Sequence, residues 1–134
     1  MHSLNPTNDI ITAVALAAEV CIKPWKYSVV RVFNENDESL QEYKFNDLIL
    51  LLECRDSDGK RMPSNDIELE IYLSGLDINV MLCWVESKDD FILWQGSHSI
   101  WLDAKTGKRI ENPMKNNDLE LLSRRVRAIF QPSD

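Results

Sequence analysis

His98, Ser99 and Asp103 fall within ILWQGSHSIWLDAKTGKRI, residues 92–110, and are the residue types of a nucleophilic relay. Such a relay needs its base within hydrogen-bond reach of both the nucleophile and the acid that orients it. Gly96-Ser97 fits the central pair of a tight hairpin turn with glycine first. Side chains alternate between the two faces of the strands it joins, so His98 points to one face while Ser99 and Asp103 point to the other. That geometry excludes a local relay. Asp103 has a plainer role, as the aspartate four residues before Gly107 that stabilises the turn in DAKTGK.

The other chemically capable residues are also scattered. The chain has two histidines, His2 and His98, and neither a CxxC nor a Cys/His cluster, so no zinc site is expected. Cys21, Cys54 and Cys83 each sit in apolar sequence and read as three buried thiols in a reducing compartment. The four glycines, at 59, 75, 96 and 107, all fall in turns between strands. None is left for a phosphate-cradling loop, and GxGxxG and GxxxxGK are both absent. Asp66, Glu68 and Glu70 recur at every second position, which spaces them about 6.8 Å apart on a strand. That is too far for a compact carboxylate cage, and glycoside hydrolysis needs two acids across a cleft. The row reads as a solvated strand face or a negative strip turned toward a basic partner. No catalytic residue, cofactor or metal ligand is assigned.

Composition narrows the classes further. At 134 residues the chain is expected to form a single domain over residues 1–134, and 44% hydrophobic with 28% charged residues is the balance of a globular chain. A net charge of −7 repels phosphate backbones and anionic lipid, which disfavours nucleic-acid and membrane binding and favours basic protein partners. IITAVALAA has the length of a signal-peptide core. MHSLNPTND before it carries no Lys or Arg, however, and places Asp9 against the apolar run, so a folded helix is expected instead. No apolar run reaches the roughly 20 residues of a membrane span. A cytoplasmic location is expected.

The elements that position these residues follow from periodicity. Residues 8–22 form a helix started at Thr7 or Asn8 and ended by Lys23-Pro24. Ile10, Val14, Ala17, Ala18 and Cys21 share one face, and Leu16 and Val20 make the other nearly as apolar, which predicts burial on more than one side. Residues 27–33 read as a strand, and 39–54 is ambiguous. A capping box at Ser39–Glu42 favours a helix there, while the Asp58-Gly59 turn favours a strand over 45–54. From Asp66 the alternation is strict, with strands at 66–73, 79–86, 91–95 and 98–103. A final helix runs from about 117 to 130, capped by Asn117 or Asp118, with Leu119, Leu122, Val126, Ile129 and Phe130 as its buried stripe. Arg124, Arg125 and Arg127 lie on its outer side, where positive charge suits the dipole or meets an acidic partner, and Leu121 falls off the stripe as a contact point. The fold class is α+β: an antiparallel meander sheet of about five to seven strands flanked by an N-terminal and a C-terminal helix.

The hairpin then poses the central question. Its register pairs Gln95 with His98, Trp94 with Ser99, Leu93 with Ile100, Ile92 with Trp101 and Phe91 with Leu102. Phe91, Leu93, Ile100 and Leu102 share one face; Ile92, Trp94 and Trp101 share the other, joined by Trp84. Both faces are apolar, and one alone packs on helices. The tryptophans are either covered by a curved sheet or grip a partner, since Trp is enriched at interface hot spots. The functional expectation is a non-catalytic protein-binding protein, an adaptor, assembly factor or inhibitor. Its candidate surface comprises Ile92, Trp84, Trp94 and Trp101 with Asp66, Glu68 and Glu70, for a protein partner of basic character, and homodimerisation is expected on the same grounds. In size, charge and element order the chain is similar to toxin-neutralising immunity proteins and bacterial secretion chaperones, without a shared motif. The alternatives are a small-ligand binder with an apolar pocket in a curved sheet, or an enzyme with an unfamiliar site near His98 or the acidic row.

Overall fold

The structure is a computed structural model that describes residues 6–32, 47–74, 77–95, 98–114 and 116–130. Helix α1 spans Pro6–Cys21. Proline suits a first helical turn because the N–H it lacks would find no partner there. The helix therefore starts earlier than the sequence suggests, and Thr7 and Asn8 lie in its first turn rather than before it. Seven strands follow: β1 (Lys26–Val32), β2 (Asp47–Arg55), β3 (Ile67–Ser74), β4 (Asp77–Trp84), β5 (Asp90–Gln95), β6 (His98–Asp103) and β7 (Arg109–Ile110). Helix α2 closes the chain at Asp118–Phe130.

Each strand pairs antiparallel with the next, so the sheet order is the chain order, β1 to β7. The expected α+β meander between two helices is what the chain forms. Within 39–54 the strand wins from Asp47 onward, while the capping box and residues 45–46 lie outside the described residues. The strand ends where a turn draws it back. Asp56 Oδ1 accepts the N–H groups of Asp58 and Lys60 at 2.9 Å, and Gly59 takes the left-handed conformation, φ 88°, that disfavours other residues. Asp103 does the predicted work at the far end, its Oδ1 accepting the N–H of Lys105 at 2.7 Å and of Thr106 at 3.3 Å.

Register explains the core. Leu50 pairs with Leu69, Leu69 with Leu82, Leu82 with Ile92, Ile92 with Trp101, and Trp101 with Ile110. This apolar row crosses six strands on one face, and both helices lie over that face. Helix α1 packs against β1, α2 against β4 and β5, and the helices against each other. Val14, Ala17 and Ala18 from α1 and Leu119, Leu122 and Val126 from α2 are buried in the same cluster.

Two expectations are corrected here. Helix α1 packs on β1 and on α2, but no element among the described residues covers its Leu16 and Val20 face, which stays exposed. Of the three thiols, Cys54 is buried while Cys21 and Cys83 are half-buried. No helix among the described residues is long and apolar enough to cross a membrane.

Candidate functional site

The β5–β6 hairpin has the register expected of it, from Gln95–His98 to Phe91–Leu102. Its two faces meet different fates. Ile92, Trp94 and Trp101 point into the helix-covered core, where Ile92 is fully buried and Trp101 is 6% exposed. Buried indoles need a partner for their N–H, and α2 supplies both. Trp94 Nε1–H donates to Ser123 Oγ at 2.7 Å, and Trp101 Nε1–H donates to Glu120 Oε1 at 3.3 Å. The Arg127 guanidinium caps the Trp94 ring, 5.3 Å from its centroid. Trp84, half-buried and paired with Ile67, packs on the same core. Of the four residues expected to face a partner, Trp94 and Trp101 hold α2 on the sheet, while Ile92 lies in the core and Trp84 packs against it. Ser123→Ala should therefore cost about 1 kcal/mol by leaving the Trp94 N–H without its acceptor, readable as a shift in a urea-unfolding midpoint.

Helix α2 has its own local support. Asn116 Oδ1, rather than a side chain at 117 or 118, accepts the first helical N–H, that of Asp118, at 3.1 Å. Asn112 ties this entry down through its amide, donating to Glu120 Oε1 at 2.6 Å and to the Asn116 carbonyl at 3.1 Å. The carboxylate that receives the Trp101 indole is thus held from two sides.

The opposite face of the sheet carries the surplus apolar surface. Met81 pairs with Leu93 and Leu93 with Ile100, while Phe91 pairs with Leu102. Met81, Phe91, Ile100 and Leu102 are half-buried, and none of this set belongs to the cluster under the helices. Leu93 is buried, at 8% exposure, yet lies outside that cluster too. Ile49 and Leu51 of β2 extend the patch across Glu70 and Glu68, their register partners on β3. A hollow of about 30 Å³ between Glu68, Glu70, Met81, Cys83 and Phe91 is the size of a water site. Small-ligand pockets run to several hundred Å³, so this hollow suits contact by area. Asn79, on the same side of β4, is fully buried, and its side-chain amide has no hydrogen-bond partner among the described residues. Such a group costs about 1–3 kcal/mol, which an apolar residue would avoid.

The acidic row divides. Glu68 and Glu70 stay half-buried on this outer face, with Glu68 3.5 Å from Lys88 in a solvated pair of little strength. Asp66 leaves the row altogether. It precedes β3 and turns back to β2, where Oδ1 accepts the Cys54 N–H at 2.7 Å and the carboxylate takes a two-pronged bond from Arg61, at 2.9 and 2.7 Å. Burial alone would raise the Asp66 carboxyl, but the Arg61 hydrogen bonds, the Cys54 N–H and the Arg61 charge outweigh it and hold it below its ordinary value. Asp66 is a structural anchor, its carboxylate turned to Cys54 and Arg61 and away from the row of Glu68 and Glu70.

The remaining chemistry is quiet. His98 is exposed at the hairpin tip. Burial pushes the Cys83 thiol up to about 11, helped by Glu68, and burial likewise raises Cys21 and Cys54, so none of the three thiols is activated as a nucleophile. No group of His, Cys, Asp and Glu that could hold a metal ion occurs among the described residues.

A family model described as Domain of unknown function (DUF8659) matches residues 11–129. No curated protein and no solved structure matches the chain.

Proposed function

We propose that the chain, which belongs to the DUF8659 family, is a non-catalytic protein-binding protein that docks its partner on the outer face of the sheet. The reading rests on one observation: β5 and β6 are apolar on both faces, and the helices cover only the tryptophan face. Phe91, Ile100 and Leu102, with Met81 and Ile49, form a patch of the kind that marks protein contact. Glu68 and Glu70 lie beside it, within a chain of net charge −7, so the occupant is a partner with apolar side chains and a basic flank. The patch sits on strands hydrogen-bonded to neighbours on both sides, a preformed surface of the kind that keeps the entropy cost of docking low.

Affinity capture from the native host's lysate tests this when the intact chain and an Ile100→Glu/Leu102→Glu variant are run side by side. The intact chain should recover a macromolecule that the variant loses, with the variant's melting curve confirming that it is folded. A Glu68→Lys/Glu70→Lys variant should lose the same partner less completely, because flanking charges tune encounter more than they supply affinity. Equal recovery by all three proteins sinks the proposal.

A further inference from the structure

The helical layer, on the other side of the molecule, carries a groove whose charged lining among the described residues is arginine. We propose that the groove between α1 and α2 binds an acidic amphipathic helix of a partner protein, a contact separate from the one on the sheet. Leu16, Val20 and Leu121 are 59%, 49% and 46% exposed, and they converge on this groove. The helices run antiparallel, since Ala13 and Leu16 lie with Ala128 and Ile129 while Val20 and Cys21 lie with Leu121. Two adjoining hollows of about 430 and 410 Å³ share Val20 and Arg125. Small residues, Ala13, Ala17 and Ala128, line the groove beside the larger ones and leave room for a third helix. Positions 13, 16, 17 and 20 span about two helical turns, the reach of anchors spaced i, i+3, i+4 and i+7 on an incoming helix.

Charge selects the occupant. Among the described residues no carboxylate lines either hollow, whereas Arg124 and Arg125 both do. Both are exposed, and no ion pair among the described residues engages either guanidinium. Arg125 shares the lining of one hollow with Cys21. Favourable interaction with the dipole of α2 does not account for them. They lie more than a turn before Phe130, beyond the last turn in which that effect acts, and Arg127 is the residue that occupies that turn. A chain of net charge −7 that keeps two arginines outside any ion pair among the described residues, beside three exposed hydrophobics, is matched by leucines flanked by carboxylates.

Two synthetic peptides about four turns long decide the matter. They share leucines at i, i+3, i+4 and i+7, with glutamates on the flanks of one and lysines on the flanks of the other. The glutamate peptide should bind, with amide shifts confined to residues 13–21 and 121–129. Its affinity should fall about tenfold at high salt and about tenfold in Arg124→Glu/Arg125→Glu. Leu121→Ser should weaken it too, and serves if the doubly reversed chain does not fold. The lysine peptide should bind at least about tenfold more weakly. Equal binding of both peptides, binding of neither, shifts on the outer sheet face, or self-association of the free chain through Leu16 and Leu121 would each overturn the assignment. Ile100→Glu/Leu102→Glu leaves the groove untouched and should bind the glutamate peptide as the intact chain does.

Discussion

Replacing Trp101 by alanine is expected to destabilise the chain by about 4 kcal/mol, in the range measured when large buried aromatics are truncated. The side chain is 6% exposed, lies beside fully buried Ile92 in the apolar row of the sheet, and donates its indole N–H to Glu120 on α2. Truncation removes that contact area, opens a cavity under α2 and returns one carboxylate oxygen to its bond with Asn112 alone. In a chain of this size each kcal/mol moves the melting temperature by roughly 3 °C, so a fall of about 12 °C is expected. Thermal unfolding followed by circular dichroism reads it directly. Ile100→Ala, one residue away on the opposite face, should cost far less, because its side chain is half-buried and outside the main core. A Trp101 loss of only a few degrees would return this residue to the surface and with it the tryptophan face to partner binding.

That contrast shows what could be read from the residues alone. The turn expected at Gly96-Ser97, which lies outside the described residues, and strict alternation predict which residue opposes which, and all five pairs follow. Alternation cannot say which face is covered when both are apolar, because the covering element lies some twenty residues further on. A signal was present in that element. The final helix places Ser123 next to Leu122 and Val126 on its buried stripe, and a polar residue there needs a partner. Indole N–H groups are the donors available on the apposed strands, so Ser123 and Glu120 pointed to the tryptophans. The first helix fails differently. Its apolar composition predicted burial on more than one side, and β1 and α2 do cover it, but Leu16 and Val20 are left outward beside arginines from a helix a hundred residues away. The two-residue strand β7 carries no alternation to detect. It forms because the Asp103 turn returns the chain alongside Trp101.

Asp66 was legible as an acid on the strand face, and its real role depends on the turn before it. The Asp58-Gly59 turn brings Arg61 back alongside Arg55 at the end of β2, within reach of the carboxylate. Asp66 then joins three segments: its carboxylate binds β2 at Cys54, its carbonyl accepts the Val85 N–H at 3.0 Å, and the neighbouring Asn65 carbonyl accepts the Tyr27 hydroxyl at 3.0 Å. Asp66→Ala should destabilise the chain by about 3 kcal/mol, chiefly because the buried Cys54 N–H is left without an acceptor. The pH dependence separates charge from packing. The folded-state value of Asp66 is lowered, so its stabilisation is fully present above the unfolded-state value of about 3.9 and is lost as pH falls through the folded value. The stability gap between the intact chain and Asp66→Ala should be flat from neutral pH to about pH 5 and narrow progressively below about pH 4, leaving the part that a protonated carboxyl still supplies as acceptor for the Cys54 N–H. Urea unfolding of both proteins across that range measures the gap, and the other carboxylates cancel in the difference. A gap unchanged in acid would mean that Asp66 acts by shape alone. A narrowing gap identifies the charged pair with Arg61 as what fixes the β2–β3 corner, and so the register from which the outer face is built.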